Sequence, residues 1–330
     1  MIKQQQNYDV NKLLNIDEMI DDLKQMNITF EKMSEEKAKI FLKNNNCYYN
    51  IILYVDNFER YFVNGSFINK FVSLDFAFLK DLSIIDYRLR IILFKMTLDI
   101  EHYLKIKIIN MIENIENEDG YNIVNMFLEK DFYDKHYPKK VHNSIFKKLG
   151  NEDYLKIFSQ YDTNMDKKLE NIPIWKFLEI ITFGELVNFY EFFTEKYNFI
   201  EENKDIFILR EIVKLRNAVA HNCYILRNLS KNENKNAPSY KIINYLSNCG
   251  IGKTTRKNKL SNSRIRQITC LLYMFNEIVT SESIKKNITE ELNYLFFNRI
   301  LLHKDYYNNN ELLRSVYDYF KLIITKHYKI

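Results

Sequence analysis

The sequence predicts an all-α protein built as a helical bundle. The 330 residues include 6 glycines and 3 prolines, so turn-forming and helix-breaking residues are scarce. Apolar side chains recur at helical spacing over long stretches, and no segment shows the apolar–polar alternation of a half-buried strand. Hydrophobic residues make up 46% of the chain and charged residues 28%, which is enough for a packed core.

The first 60 residues contain two predicted helices. Residues 1–30 resemble a short, mixed lead-in helix. A second helix begins after Ser34, with acidic residues in its first turn as the helix dipole favours, and ends near Lys43. An apolar, aromatic stretch follows at residues 48–60, and the Asn64-Gly65-Ser66 sequence marks a turn.

The strongest helix signal lies at residues 81–112. Its apolar stripe consists of Ile85, Leu89, Ile92, Leu93, Met96, Ile100, Tyr103 and Leu104. Four polar side chains fall along one edge of that stripe, namely Asp86, Arg90, Thr97 and Glu101. This row is either a solvated helix edge or a functional surface.

The remainder of the chain reads as further helices. Residues 113–172 show weaker patterning, and Gly120, Pro138 and Gly150 divide them into short helices. Pro173 begins a new element, and a long helix is predicted at about 206–226. Apolar segments at 270–275 and 312–324 predict the helices that close the chain.

Composition also limits the class of protein. No apolar stretch approaches the length needed to cross a bilayer, and the polar first residues lack a signal-peptide core, so we expect a cytoplasmic protein without membrane partners. The cysteines Cys47, Cys223, Cys249 and Cys270 form no CxxC pair, and we expect neither a disulfide framework nor a metal or other cofactor.

A basic run without any acidic residue extends over residues 234–276. It predicts a surface for a polyanion, although a merely solvated basic loop is the alternative. Tyr240, Tyr245 and Tyr273 accompany the run and are available for stacking. The predicted contacts are Lys253, Arg256, Lys257, Lys259, Arg264 and Arg266.

The segment 215–222 contains Arg216, followed directly by Asn217, and then His221. On a helix, Asn217 and His221 are one turn apart and share a face. Arg216 is predicted near the middle of an apolar arc formed by Leu209, Ile212, Val213, Val219 and Ala220. Because a guanidinium in an apolar stripe is costly unless paired, we expect Glu101 to lie near Arg216. A structural ion pair beside an incidental histidine is the alternative to a catalytic group.

Three blocks of the sequence, in this order, resemble the Abi family of bacterial abortive-infection proteins, of the AbiD and AbiF type, within the HEPN superfamily. The blocks are 79–105 with Asp86, Arg88, Arg90 and Glu101, 172–186 with Trp175, Glu179 and Gly184, and 215–222 with Arg216, Asn217 and His221. The resemblance divides the chain into a lead-in at 1–34, an Abi/HEPN domain at 35–230 and an unmatched region at 231–330.

The resemblance implies a HEPN-like bundle with additional helices at both ends. It implies that Arg216, Asn217 and His221 cleave RNA without a metal, leaving 2′,3′-cyclic phosphate ends, with Arg90 and Glu101 in support. HEPN proteins usually act in pairs, so a homodimer is expected, and the basic run would hold the RNA. Some Abi toxins are encoded beside a small RNA that restrains them. A non-catalytic RNA-binding protein, a toxin component silenced by such an RNA, and a purely structural helical protein are the alternatives.

Overall fold

A computed structural model describes residues 13–133, 172–230 and 237–329, and over these residues the predicted all-α fold is confirmed. The breaks predicted at Pro138 and Gly150 lie outside the described residues. The α-helices span Ile16–Gln25, Glu35–Asn44, Tyr48–Ile51, Phe76–Glu113, Asn122–Tyr133, Ile174–Ile180, Phe183–Lys196, Ile200–Asn203, Ile206–Ala220, Tyr240–Asn248, Lys253–Ser261, Ser263–Ile278, Glu282–Tyr294 and Glu311–His327. 3₁₀-helical segments lie at Ile52–Asn57 and Ile300–Tyr307, and a π-helical segment lies at Leu295–Arg299.

The structure corrects the prediction that the chain has no strands. Arg60–Val63 and Ser66–Phe71 pair as an antiparallel hairpin around the predicted turn, where Asn64 has φ 49° and Gly65 has φ 80°. Most side chains on both strands are exposed, including Phe62 and Phe67, which pack against each other across the hairpin. A strand without a buried face has no apolar–polar alternation, so this hairpin has no periodic signal in the sequence.

The helix Phe76–Glu113, here called the central helix, begins a few residues before the predicted start because Asp75 caps it. The Asp75 side chain accepts a hydrogen bond from the Ala77 amide at 2.9 Å. The predicted apolar stripe is buried over most of its length. Asp86 and Thr97 are also fully buried and Arg90 is 7% exposed, so this part of the polar row is not a solvated edge.

The helix Ile206–Ala220, here called the motif helix, packs against the central helix and against Phe183–Lys196. Thr182 and Glu185 form a reciprocal capping box at the start of Phe183–Lys196. Gly184 follows within that helix, and a Cβ built on it would lie 3.7 Å from Val213 of the motif helix. Residues of the second sequence block therefore cap the start of Phe183–Lys196 and allow this helix to pack closely on the motif helix.

The helix Ser263–Ile278, here called the supporting helix, packs against both the motif helix and the central helix. Its Leu271 and Phe275 are fully buried in a core that continues from the residues before 230. Residues after 230 thus contribute to the same core as the helices that precede them. None of the helices in the described ranges is long and apolar enough to span a membrane.

Candidate functional site

The motif helix ends at Ala220, several residues before the predicted end near 226. His221 is its C-cap, and its amide donates to the Asn217 carbonyl at 3.0 Å. Asn222 then adopts a left-handed conformation, with φ 57°, which turns the chain away from the helix axis. The side chains of Asn217 and His221 are both exposed on this last turn, where a ligand can reach them.

Arg216 lies at the edge of the buried face of the motif helix, which corrects its predicted place in the middle of an apolar arc. The supporting helix and the central helix cover the face that carries Ile208, Leu215 and Ala218, and Ala220 is exposed. Arg216 is accordingly half-buried. Its Nε is shielded from solvent and has no hydrogen-bond partner among the described residues.

The charge of Arg216 acts on Glu101 of the central helix, and the predicted pairing of the two side chains stays a prediction. Burial raises the pKa of the Glu101 carboxyl, and the positive charge of Arg216 opposes that rise. The Glu101 Oε2 atom is buried and, like Arg216 Nε, has no hydrogen-bond partner within the described part of the chain. Both buried atoms therefore keep unused hydrogen-bonding capacity.

Lys105 adds a further charge to this group, which the sequence reasoning did not assign. It lies one turn after Glu101, and its Nζ is 3.5 Å from Glu179 Oε1. The charges of Lys105 and Glu179 both act on the Glu101 carboxyl. Glu179 comes from the second sequence block, so residues of all three blocks meet near Arg216.

Arg90 holds the chain immediately after His221. Its Nη1 donates to the Asn222 backbone oxygen at 3.1 Å and also to the Asn222 side-chain oxygen. Arg90 Nε lies 2.8 Å from Asp86 Oδ2, and the guanidinium sits over the Tyr224 ring at 5.1 Å. The structure thus places Arg90 beside the motif, although it contacts Asn222 rather than Arg216 or His221.

Asp86 fixes the same segment through the backbone. Its Oδ1 accepts hydrogen bonds from the amides of Ile225, at 2.8 Å, and Leu226, at 2.6 Å. Burial raises the pKa of the Asp86 carboxyl, whereas these amides and the charge of Arg90 oppose the rise. These long-range bonds explain why the helix does not continue to 226, because the amides bond to Asp86 instead of to the preceding turn.

Asn57 provides a second anchor that the sequence did not reveal. Its side chain donates to the Leu226 carbonyl at 2.6 Å and accepts from the Leu229 amide at 3.0 Å. Asn57 is 3% exposed and lies in the mainly apolar and aromatic segment 48–60. In a chain rich in asparagine, no local pattern distinguishes this residue. We name the segment 222–229, held by Arg90, Asp86 and Asn57, the anchored segment.

The predicted basic run forms helices rather than a loop. Lys253 and Lys257 are exposed on the helix Lys253–Ser261, and Arg256, Lys259 and Arg264 are partly buried. Arg256 Nη1 and Arg264 Nη1 each donate to a neighbouring group within the protein. Arg266 is 2% exposed and its Nε donates to the Leu260 carbonyl. The prediction that Arg266 is a surface contact is therefore wrong.

The aromatic residues of the basic run are likewise partly exposed and partly buried. Tyr240 is exposed, whereas Tyr245 is 7% exposed and packs against His327. Asn262, between the two helices of the run, donates to the Asn228 carbonyl of the anchored segment at 3.0 Å. The basic helix Lys253–Ser261 therefore ends next to the segment that follows the motif.

Possible metal-binding clusters and the cysteine thiols were compared with the group around Arg216 as sites of chemistry. Among residues 13–133, 172–230 and 237–329, no three His, Cys, Asp or Glu side chains cluster in a way that could hold a metal ion. All four cysteines are free thiols. The group around Arg216 instead offers an imidazole, an amide and a guanidinium, which can transfer protons and stabilise an anion.

Comparison with known proteins gives one match. A family model described as "Abi-like protein" matches residues 41–227, more than half of the chain. The match includes the central helix, the motif helix and most of the anchored segment. No curated protein and no solved structure matches the chain.

Proposed function

The chain belongs to the Abi-like protein family, and we propose that it is a metal-independent endoribonuclease of the HEPN type, related to AbiD and AbiF. Its family supports a role in abortive infection, and we place its action in the bacterial cytoplasm. The observation that carries the proposal is the end of the motif helix. Exposed Asn217 and His221 follow half-buried Arg216 on the same last turns, and the charge of Arg216 acts on the Glu101 carboxyl.

Cleavage of RNA without a metal needs three groups. A base removes the proton of the 2′-hydroxyl, whose oxygen attacks the adjacent phosphorus, and an acid protonates the departing 5′-oxygen. A cation stabilises the charge that develops on the phosphorane. His221 can act as the base or the acid, Arg216 can pair with the phosphate oxygens, and Asn217 can orient either group. The products carry a 2′,3′-cyclic phosphate and a free 5′-hydroxyl.

The surrounding residues suit this assignment. Arg216 is half-buried at the edge of the core, which restrains its side chain. Glu101 supplies a negative charge close enough to offset part of the cost of the half-buried cation. The anchored segment fixes the backbone directly after His221, so the imidazole starts from a defined position.

The basic helix Lys253–Ser261 is the proposed surface for the RNA. Lys253 and Lys257 face solvent, and this helix adjoins the anchored segment through Asn262 and Asn228. Exposed Tyr240 offers a ring for stacking on an unpaired base. A regulatory small RNA would use the same contacts as the substrate, since both present the same phosphate backbone.

The test of this function is cleavage of single-stranded RNA by the purified protein in excess EDTA. We expect short products that end in a 2′,3′-cyclic phosphate. A phosphatase that removes only phosphate monoesters should leave these 3′ ends unchanged until acid opens the cyclic phosphate. Complete dependence on an added divalent cation would refute the proposed mechanism. Binding of RNA without cleavage would favour the alternative of a non-catalytic or silenced RNA-binding protein.

A homodimer is expected because one chain supplies a single histidine of this kind, whereas the reaction uses both a base and an acid. The exposed apolar side chains of Ile91 and Leu98, two turns apart on the central helix, suit a contact between copies. Sedimentation velocity at micromolar concentration should give about twice the chain mass of 40.1 kDa. A species of single-chain mass with full specific activity at every dilution would exclude the shared site.

A further inference from the structure

A polar cavity of about 660 Å³ lies beside the motif, between the helix Glu35–Asn44, the central helix and the anchored segment. Its size falls within the range of small-molecule sites in proteins. Asn222, which follows His221 directly, forms part of its wall. The lining residues are Phe41, Asn45, Asn46, Cys47, Asn50, Lys80, Ser83, Ile84, Tyr87, Arg90, Asn222 and Tyr224.

Three amide side chains line this cavity with their hydrogen-bonding groups unused. Asn45 is exposed, Asn46 and Asn50 are half-buried, and none of the three side chains bonds to another group in the described ranges. Each amide offers an acceptor oxygen and two donor hydrogens. That combination matches the edge of an unpaired base, which presents donors and acceptors side by side.

The charges around the cavity favour an anion. Lys80 and Arg90 are the ionisable cations of the lining, and the lining contains no aspartate or glutamate. Arg90 is paired with Asp86 behind the wall, so the positive charge offered to a ligand comes from Lys80. Lys80 Nζ lies over the Phe41 ring at 5.5 Å, and Arg90 lies over the Tyr224 ring at 5.1 Å, so both cations border aromatic surfaces. Tyr87 is 56% exposed and presents a further ring on which a base can stack.

We propose that this cavity binds one unpaired nucleotide, with its phosphate on Lys80 and its base between Tyr87 and the amides of Asn46 and Asn50. The inference rests on the proposed function in one respect, namely that the nucleotide neighbours the bond to be cut. In that role the cavity selects the base next to the cleavage position. A free mononucleotide has the same chemistry as one residue of an RNA chain, and the experiment separates these two sources.

The experiment measures binding rather than cleavage, using the His221→Ala protein and fluorescence anisotropy with labelled hexamers of A, C, G or U. We expect the tightest-binding hexamer to bind at least about tenfold more tightly than the weakest-binding hexamer, since a bidentate base contact discriminates by roughly 1–3 kcal/mol. The double variant Asn46→Ala/Asn50→Ala should lose that preference. Lys80→Ser should weaken all four hexamers by a similar factor, because a phosphate contact carries no base information.

A matched control is available at Asn114. Asn114 is an exposed helix C-cap that lies outside the cavity lining, so Asn114→Ala should bind all four hexamers as the parent does. If the alanine variants fold poorly, Asn46→Asp serves in their place. It keeps the side-chain size but removes the amide donor, so the base preference should change. Competition by free mononucleotides at concentrations equal to those of the hexamers would assign the cavity to a free nucleotide instead of a chain residue.

Equal binding of all four hexamers, or an unchanged preference in both the double variant and Asn46→Asp, would overturn the inference. The proposed function fails separately. If the protein with His221 intact does not cleave RNA but the hexamers are still discriminated and the preference is lost in the double variant, the nucleotide site stands and the nuclease assignment falls. If the protein cleaves RNA but the hexamers bind equally, the nuclease assignment stands and the nucleotide site falls.

Discussion

Replacing His221 with alanine should lower the rate of RNA cleavage by about 10² to 10⁴, the usual contribution of a positioned acid–base group. The side chain is exposed at the helix C-cap, so its removal leaves the core intact and the urea unfolding midpoint should not change. Single-turnover cleavage of a labelled RNA at saturating protein measures the chemical step. His102→Ala is the matched control, because His102 is also exposed but lies on the central helix outside the motif.

Arg216→Ala should show a loss of roughly 10² to 10³ in the same assay, as expected when one group that stabilises the transition-state charge is removed. Arg216→Lys keeps the charge but not the planar fork, and should recover only part of the rate. Full single-turnover activity in either alanine variant would remove that residue from the mechanism.

Asp86→Ala should be the most destabilising single change near the site. It leaves Arg90 as a buried cation without its partner, and it removes the acceptor of the Ile225 and Leu226 amides. Breaking a buried ion pair in this way costs about 3–5 kcal/mol of unfolding free energy. Because the anchored segment loses its fixed position, we also expect cleavage to fall at temperatures where the variant is still folded.

Asp81→Ala separates the loss of stability from the loss of position. Asp81 lies on the same helix and forms a comparable buried pair, with Arg299 Nη2 2.6 Å from its Oδ1. That pair ties the C-terminal helices to the central helix and does not touch the anchored segment. Similar urea midpoints for the two variants, with cleavage reduced only in Asp86→Ala, would establish the positioning role. Equal losses of cleavage would contradict it.

The sequence predicted those parts of the fold that repeat along one helix. Helical periodicity predicts the apolar stripe of the central helix. It also predicts that Asn217 and His221 lie one turn apart on the same face of the motif helix. The end of the motif helix was predicted too late because Asp86, far away in the sequence, takes the amides of Ile225 and Leu226. No local propensity contains that information.

Burial on the motif helix depends similarly on distant partners. Arg216 was assigned to the centre of an apolar arc from neighbouring side chains alone, whereas the supporting helix decides which face is covered. The basic run shows the same limit, since charge predicts a surface but Arg266 turns inward to cap the preceding helix through Leu260. The predicted pairing of Glu101 with Arg216 stays a prediction, and the structure shows that the charge of Arg216 acts on the Glu101 carboxyl.

The packing of the supporting helix on the motif helix also sets an order of events during protein synthesis. The ribosome makes the motif helix first, but the helix that covers its buried face is complete only at Ile278. At roughly 5–20 residues per second, the intervening chain takes several seconds to emerge. Until then Leu215 and Ala218 lack their cover, and a nascent or prematurely terminated chain ending near 230 carries the motif without a finished core. The proposed RNA cleavage would therefore begin only once the supporting helix has emerged and packed on the motif helix.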